Sequence, residues 1–374
     1  MSGGQTLKKE AGKRENQLQF LRFFAFLNVF IRHAECFVFF NYPSWNGAVS
    51  SVTFFIILSS ALTGYSACGK SCQLSLKAIC KDMWKKISKV FFLHFLTTIF
   101  ATFFTDLPRL LIDGDFAAAF GPLKQLLVNL LMLQSWFPIA YLNYNGVSWF
   151  LSTIMFLYLF NLPLCALLNK IKDSKHRNWI FGTIILLCTA LTCGYSYITY
   201  SGNIHFMQYI FPPARLGQYI IGMVLGFWLR IAKDSFTSSK SKIVFFTIAE
   251  VAVLAFWIAS LFLSNESWRN RLVDWIAPNV LLIGVFIMGQ GLVSRLFCFK
   301  PLVRLGDVSF ECYLIHQVVI FAFTRLSNVS PNSNAANLGC IFICLCFTVL
   351  LALFLNKAPK NHVPQTAKNA STKS

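Results

Sequence analysis

Leu18-Gln-Phe-Leu-Arg22-Phe-Phe-Ala-Phe-Leu-Asn-Val-Phe-Ile-Arg32-His33-Ala-Glu35-Cys36-Phe-Val-Phe-Phe40 is the first long apolar run of the chain. Its length points to the class of fold, because about 20 mostly apolar residues suffice to cross a bilayer as a helix. Its charged members indicate where to look for chemistry. Ionisable side chains at membrane depth are costly, so they are rare and concentrate at functional positions. Arg22 and His33 are eleven residues apart. That is about three helical turns, or roughly 16 Å along the axis, so both sit on one face. Glu35 falls about 200° away from His33, while Arg32 and Glu35, three apart, are spaced to pair with each other. Two readings stay open on the residues alone. In one, Arg22 snorkels to the inner surface and His33 bonds to a neighbouring helix. In the other, His33 is a general base, since an imidazole titrating at about 6.5 suits proton removal from an alcohol at neutral pH.

The rest of the composition agrees with a membrane protein. Of 374 residues, 56% are hydrophobic and 13% charged, with 40 Phe and nine Trp; a soluble domain carries about 25% charged residues. The net charge of +19 does not point to nucleic acid. Lys and Arg gather in short segments between apolar runs, as the positive-inside rule produces. The first 17 residues are polar and the run that follows is too long for a signal-peptide core, so no cleavable signal is expected. Most Cys lie within apolar segments and read as small hydrophobes. The Cys68/Cys72 and Cys340/Cys344 spacings lack a completing His or carboxylate, so no metal site is expected.

Ten apolar runs qualify as spans or nearly so: about 19–40, 50–67, 90–105, 147–168, 179–197, 208–229, 243–263, 275–294, 309–326 and 337–356. An eleventh patch, 126–136, is short. With the N-terminus and its Lys8, Lys9, Lys13 and Arg14 inside, the segment Lys70 to Lys89 also falls inside. The segment 169–178, with Lys170, Lys172, Lys175 and Arg177, is inside only if 126–136 does not cross. The loops 41–49, 198–207 and 327–336 carry no Lys or Arg and fall outside. The expectation is an all-α polytopic bundle of about ten transmembrane helices with both termini cytoplasmic. It comprises an N-terminal tail (1–18), one membrane domain (19–357) and a disordered cytoplasmic tail (358–374). The patch 126–136 is expected to be re-entrant or interfacial.

Four further groups invite a chemical reading. Lys85-Lys86-Ile-Ser-Lys89, followed by Val90 to His94, is either a plain positive-inside cluster or a mouth for a phosphorylated donor, with ammonium groups as point charges. Ser148-Trp149-Phe150-Leu151-Ser152, with Tyr158, is either an interfacial belt or part of a site. In Phe211-Pro212-Pro213-Ala214-Arg215-Leu216-Gly217-Gln218-Tyr219, Arg215 needs a partner or an anionic ligand. The following Gly222-x-x-x-Gly226 favours close helix packing. In Ser309-Phe310-Glu311-Cys312-Tyr313-Leu314-Ile315-His316, Ser309 and His316 share a face and Tyr313 and His316 are neighbours. Such a polar stripe must face the bundle interior. Glu250, alone in its run, reads as a buried hydrogen-bonding group. No phosphate loop, zinc signature or nucleophile elbow is visible in the sequence.

In order along the chain, these segments resemble the membrane-bound acyltransferase-3 family. Leu21-Arg22 with His33 resembles the family's opening Leu-Arg…His motif. Phe54-Phe55-Ile56-Ile57-Leu58-Ser59-Ser60-Ala61-Leu62 resembles its Phe-Phe-x-x-Ser-Gly-x-Leu segment. Asn129 to Trp136 and Trp149 to Ser152 resemble its central segments. Arg215-Leu-Gly-Gln-Tyr-Ile-Ile-Gly222 resembles its Arg-x-x-x-Phe-x-x-Gly motif, and Gly306 to His316 its Gly-x-x-Ser-x-x-x-Tyr-x-x-His motif. Ser60 replaces the usual Gly, which predicts looser packing of that helix. Lys89 replaces an Arg, Gln218 a Glu, and Thr153-Ile154-Met155 stands where a carboxylate often follows.

The resemblance implies an O-acyltransferase in the cell membrane. It would move an acyl group, expected to be acetyl, from acyl-CoA to a hydroxyl of a cell-surface or lipid-linked carbohydrate. His33 and Arg22 are then the expected catalytic residues. Lys85, Lys86, Lys89, Trp149, Ser152, Arg215, Ser309, Tyr313 and His316 are expected at the donor or substrate. Acetyl-CoA enters as a substrate, with no bound cofactor or metal expected. One alternative is a multi-pass, proton-coupled transporter of a small anionic or sugar solute, although no pair of Gly- or Pro-broken helices recurs in the two halves. Another is a non-catalytic module that binds a lipid-linked sugar.

Overall fold

The computed structural model describes residues 15–34, 47–105, 120–234, 240–262, 272–326 and 334–357. Glu35, Cys36, most of the loops 41–49 and 327–336, and the tail 358–374 lie outside the described residues. The described chain is helical, with no strand. Its α-helices are α1 (Gln17–Ala34), α2 (Gly47–Ala67), α3 (Leu76–Thr105), α4 (Phe120–Leu130), α5 (Trp149–Tyr158), α6 (Asn161–Ile171) and α7 (Arg177–Ile198). They continue as α8 (Leu216–Asp234), α9 (Lys240–Ser260), α10 (Ile276–Met288), α11 (Leu292–Phe297), α12 (Lys300–Asp307), α13 (Ser309–Leu326) and α14 (Asn334–Lys357).

Five helices among the described residues are long and apolar enough to cross a membrane, and up to seven spans result if each of two bent pairs counts as one. The bent pairs are Gly146–Tyr158 with Asn161–Ile171, at 46°, and Lys300–Asp307 with Ser309–Thr324, at 58°. Arg22, Arg32 and His33 make α1 more polar than the five. Burial separates centre from periphery. The apolar window of α2 is 72% buried, whereas those of α7, α9 and α14 are 17% buried each. The outer helices turn bare Phe, Leu and Ile outward, among them Leu186, Phe245 and Phe354, as a lipid-facing surface requires.

α2 packs along α8, and α1 and α13 complete the centre. Close packing comes from small residues on both sides. A Cβ built on Gly222 would lie 2.4 Å from the Ile57 carbonyl oxygen, and one on Gly226 would lie 2.0 Å from that of Ala61. The expected loosening at Ser60 does not occur. Its hydroxyl turns back onto the Ile56 and Ile57 carbonyls, 3.1 Å from each, so the side chain presents no unpaired polar group to α8.

Four local details add to or depart from the sequence expectation. Lys77, Lys81, Lys85, Lys86 and Lys89 sit on α3 and not in a loop. At 30 residues this helix is about 45 Å long, more than a roughly 30 Å hydrocarbon core, so its Lys-rich half extends beyond the apolar half. The run 147–168 is broken between Tyr158 and Asn161. The run 208–229 begins as a π-helical segment (His205–Ile210) and a 3-10 turn (Pro212–Arg215) before α8. Pro212 forces this break: Phe211 before it is extended, with ψ 122°. The patch 126–136 divides into the end of α4, a turn and a 3-10 turn at Gln134–Trp136.

Buried polar groups close the helix ends. Gln17 Nε2 donates to the Phe286 carbonyl at 2.9 Å and Lys233 Nζ to that of Ile287 at 3.0 Å, capping α10. Glu250 accepts from Gly291 N, Ser294 N and the Ser294 hydroxyl, fastening α9 to α11.

Candidate active site

α1 and α13 bring two histidines together. His33 Nδ1 and His316 Nε2 are 2.8 Å apart, although 283 residues separate them in sequence. His316 is fully buried; Phe26 and Phe30 flank its ring at centroid distances of 5.7 and 6.1 Å. Helical side chains lean toward the helix N-terminus, which is how His33, near the end of α1, reaches back to a ring level with Phe26 and Phe30.

The surroundings fix the tautomers. His316 Nδ1 lies 2.7 Å from the Tyr313 carbonyl oxygen and 3.3 Å from that of Cys312. A carbonyl only accepts, so Nδ1 of His316 carries the proton. With both rings neutral, Nε2 of His316 is then the acceptor and Nδ1 of His33 the donor. The lone pair of the pair's outer end therefore resides on His33 Nε2. A backbone carbonyl orients one imidazole, which orients the next, the arrangement by which a positioned base is held in the productive tautomer.

Tyr313 continues the site. Its hydroxyl donates to the Val147 carbonyl at 2.9 Å, and its ring lies 5.9 Å from His316. Val147 N donates in turn to Gln317 Oε1 at 2.8 Å, and Asn145 Nδ2 to the Leu314 carbonyl at 2.9 Å. Three bonds thus staple the turn 145–148 to the stretch of α13 that carries His316. Asn145-Gly146 is a turn signal, so the turn was legible in sequence; its docking onto α13 was not.

A second group lies toward the other end of α1. Lys86 Nζ donates to Thr63 Oγ1 at 3.0 Å and sits 4.8 Å from the centre of the Tyr158 ring. The Tyr158 hydroxyl pairs with Ser59 Oγ at 3.2 Å. Arg22 contacts Gln19 Oε1 at 3.3 Å and is near enough to Tyr158 to act on it electrostatically. Lys86 alone of its cluster turns inward; Lys85 and Lys89 are exposed. Arg22 and Lys86 therefore converge at one level of the bundle, and His33 stands about 16 Å further along the same helix.

Other candidates are placed elsewhere. Arg215 is fully buried at the start of α8, far from the Lys86 end. Its Nε and one Nη meet the Tyr209 carbonyl at 3.0 and 2.9 Å, the other Nη meets Gln218 Oε1 at 3.1 Å, and it lies 4.9 Å from the centre of the Tyr209 ring. Trp149 packs on the same ring at 4.9 Å. Ser309 Oγ bonds the Gly306 carbonyl at 2.8 Å and secures the α12–α13 bend. Ser152 Oγ accepts from Ser135 N at 3.4 Å, and the Trp149 carbonyl accepts from Ser135 Oγ at 2.6 Å.

The segment these two residues anchor is under tension. Met132 and Tyr144, with φ 57° and 58°, are the non-glycine residues in left-handed backbone among those described. Each costs about 1–3 kcal/mol. Among the described residues, four buried side-chain oxygens have no hydrogen-bond partner: Asn129 Oδ1, Gln134 Oε1, Asn145 Oδ1 and Gln208 Oε1. Leaving such a group unpaired costs about 1–3 kcal/mol.

A helical membrane protein with an oriented histidine pair at the end of a basic axis is the class defined by fold and site. A family profile described as an acyltransferase domain matches residues 15–357, and the chain belongs to the acyltransferase-3 family, as a membrane acyltransferase. A search of curated proteins finds no match, and neither does a search of solved structures.

Proposed function

We propose that the chain is an integral membrane O-acyltransferase that moves an acyl group, most simply acetyl, from acyl-CoA to a hydroxyl of a cell-surface or lipid-linked carbohydrate. The supporting observation is the His33–His316 pair, whose hydrogen bonding leaves the lone pair on His33 Nε2. In this reading His33 Nε2 takes the acceptor's hydroxyl proton as the oxygen attacks the thioester carbonyl. The carbon–sulfur bond breaks and the leaving thiolate takes the proton from the imidazolium. His316 is a positioning residue: its Nε2 accepts from His33 Nδ1 and steadies the charge that His33 gains. Arg22 and Lys86 hold the donor's phosphates, with Lys85 and Lys89 as the outer basic approach. Tyr313 sets the level of His316 through Val147. Arg215 and Trp149 both pack on the Tyr209 ring and hold it in place beside the entry to α8.

The topology proposed with this chemistry has ten crossings, both termini cytoplasmic and the chain in the cell membrane. The donor then enters at the Arg22–Lys86 end, and His33 lies beyond the midplane, toward the face where a surface glycan is modified. Membranes containing the chain, given radiolabelled acetyl-CoA and a saccharide acceptor, are expected to place label covalently on the sugar. Uptake of the sugar without label would replace this reading with the carrier.

A further inference from the structure

The strained backbone and the unpaired oxygens coincide. Met132 and Tyr144 bracket a single stretch of chain. Three of the four partnerless oxygens lie in it or beside it, on Asn129, Gln134 and Asn145. The fourth, on Gln208, belongs to the π-helical segment against which the stretch packs: Tyr141 meets His205 with its hydroxyl 3.1 Å from Nδ1, and its ring lies 5.5 Å from Phe206. Buried polar groups without partners and non-glycine residues at positive φ each call for an explanation, and both cluster where a segment binds or switches.

The chemistry of the orphan groups is uniform. All four are amide carbonyl oxygens, which accept hydrogen bonds and do not donate. Their own NH2 groups are engaged: Gln134 Nε2 on Ser148 Oγ at 3.0 Å, Asn145 Nδ2 on the Leu314 carbonyl, and Asn129 Nδ2 on the Gln125 carbonyl at 2.9 Å. A ligand rich in donors and poor in charge satisfies such a set, which describes the hydroxyls of a sugar. The position also suits an acceptor. Asn145 is bonded to Leu314, two residues before His316, and Tyr313 bonds Val147. The outer side of the stretch is apolar and exposed at Phe137, Ile139 and Leu142, so no described helix covers it from that side.

We infer that the stretch Met132–Asn145 is the acceptor subsite. It opens about Met132 and Tyr144, and the carbonyl oxygens of Gln134 and Asn145 then accept hydrogen bonds from two hydroxyls of the carbohydrate, presenting a third to His33. This rests on the transferase reading above. The test uses the full chain in membranes, radiolabelled acetyl-CoA, and glycans extracted from the producing cells, with rates measured against each substrate. Gln134→Met removes the orphan oxygen and is expected to raise the KM for glycan at least tenfold with the KM for acetyl-CoA unchanged. Leu186→Ala, on the exposed outer side of α7 and outside the stretch, is the control and is expected to leave both KM values at wild type. If the glycan KM does not move in Gln134→Met, or its KM for acetyl-CoA rises by the same factor, Gln134 is a structural strut and the subsite is wrong. A wild-type chain that labels no glycan overturns the transferase reading itself, and the subsite with it.

Discussion

At the scale of single residues, His33 and His316 depend on each other. His33 stood out in sequence because an imidazole in an apolar run is expensive to keep. His316 stood out for the same reason. Their pairing was not legible, because nothing local links residues 283 positions apart, and the tautomer came only with the carbonyls of Tyr313 and Cys312. Tyr313→Phe removes the bond to the Val147 carbonyl and leaves that oxygen buried. The expected loss is about 1–3 kcal/mol of local stability, read as a lower thermal midpoint and a several-fold slower transfer rate. Lys86→Met is expected to raise the KM for acyl-CoA about tenfold, the weight of one hydrogen bond to a charged group, while kcat is retained. Ser309 was grouped with the site because it shares a face with His316, but sharing a face does not make two side chains meet. It lies two turns away and closes a bend.

At the scale of elements, breaks were partly readable. Pro212-Pro213 marked the irregular entry to α8. The bend before α6 carried a weaker mark: Pro163 sits in the first turn of α6, where its missing N–H is tolerated. Met132 and Tyr144 carried none, since neither is a residue type that favours left-handed backbone. The contact between α2 and α8 was foreshadowed by Gly222 and Gly226, and Ser60 proved compatible with it because its hydroxyl bonds its own helix. Gly226→Ala places a methyl group 2.0 Å from the Ala61 carbonyl oxygen. It is expected to destabilise the purified protein by about 1–3 kcal/mol, seen as a lower unfolding temperature with the KM for acyl-CoA unchanged in the fraction that remains folded.

At the scale of the whole molecule, the proposed orientation rests on charge distribution, and the helices supply its framework. Cys80 and Cys298 are the exposed cysteines among the described residues; Cys80 lies in the basic segment Lys70 to Lys89 and Cys298 between Arg295 and Lys300, and the proposed topology puts both segments inside. A membrane-impermeant maleimide is therefore expected to label them in inverted vesicles and to spare them in right-side-out ones. Labelling of either in right-side-out vesicles would require a different set of crossings. Within that framework Arg22 and Lys86 stand near one end of an interior axis, His33 and His316 further along it, and the Met132–Asn145 stretch beside α13 at the far end. The central claim is that the two imidazoles act as one proton-handling unit in acyl transfer. It is tested most directly by the rate of label transfer from acetyl-CoA to glycan in proteoliposomes containing wild type, His33→Ala, His316→Ala or the double variant. The account predicts normal insertion, a loss of about 10²- to 10⁴-fold in His33→Ala, and a double variant no slower than His33→Ala. Full transfer by correctly inserted His33→Ala, or losses that multiply in the double variant, would contradict it.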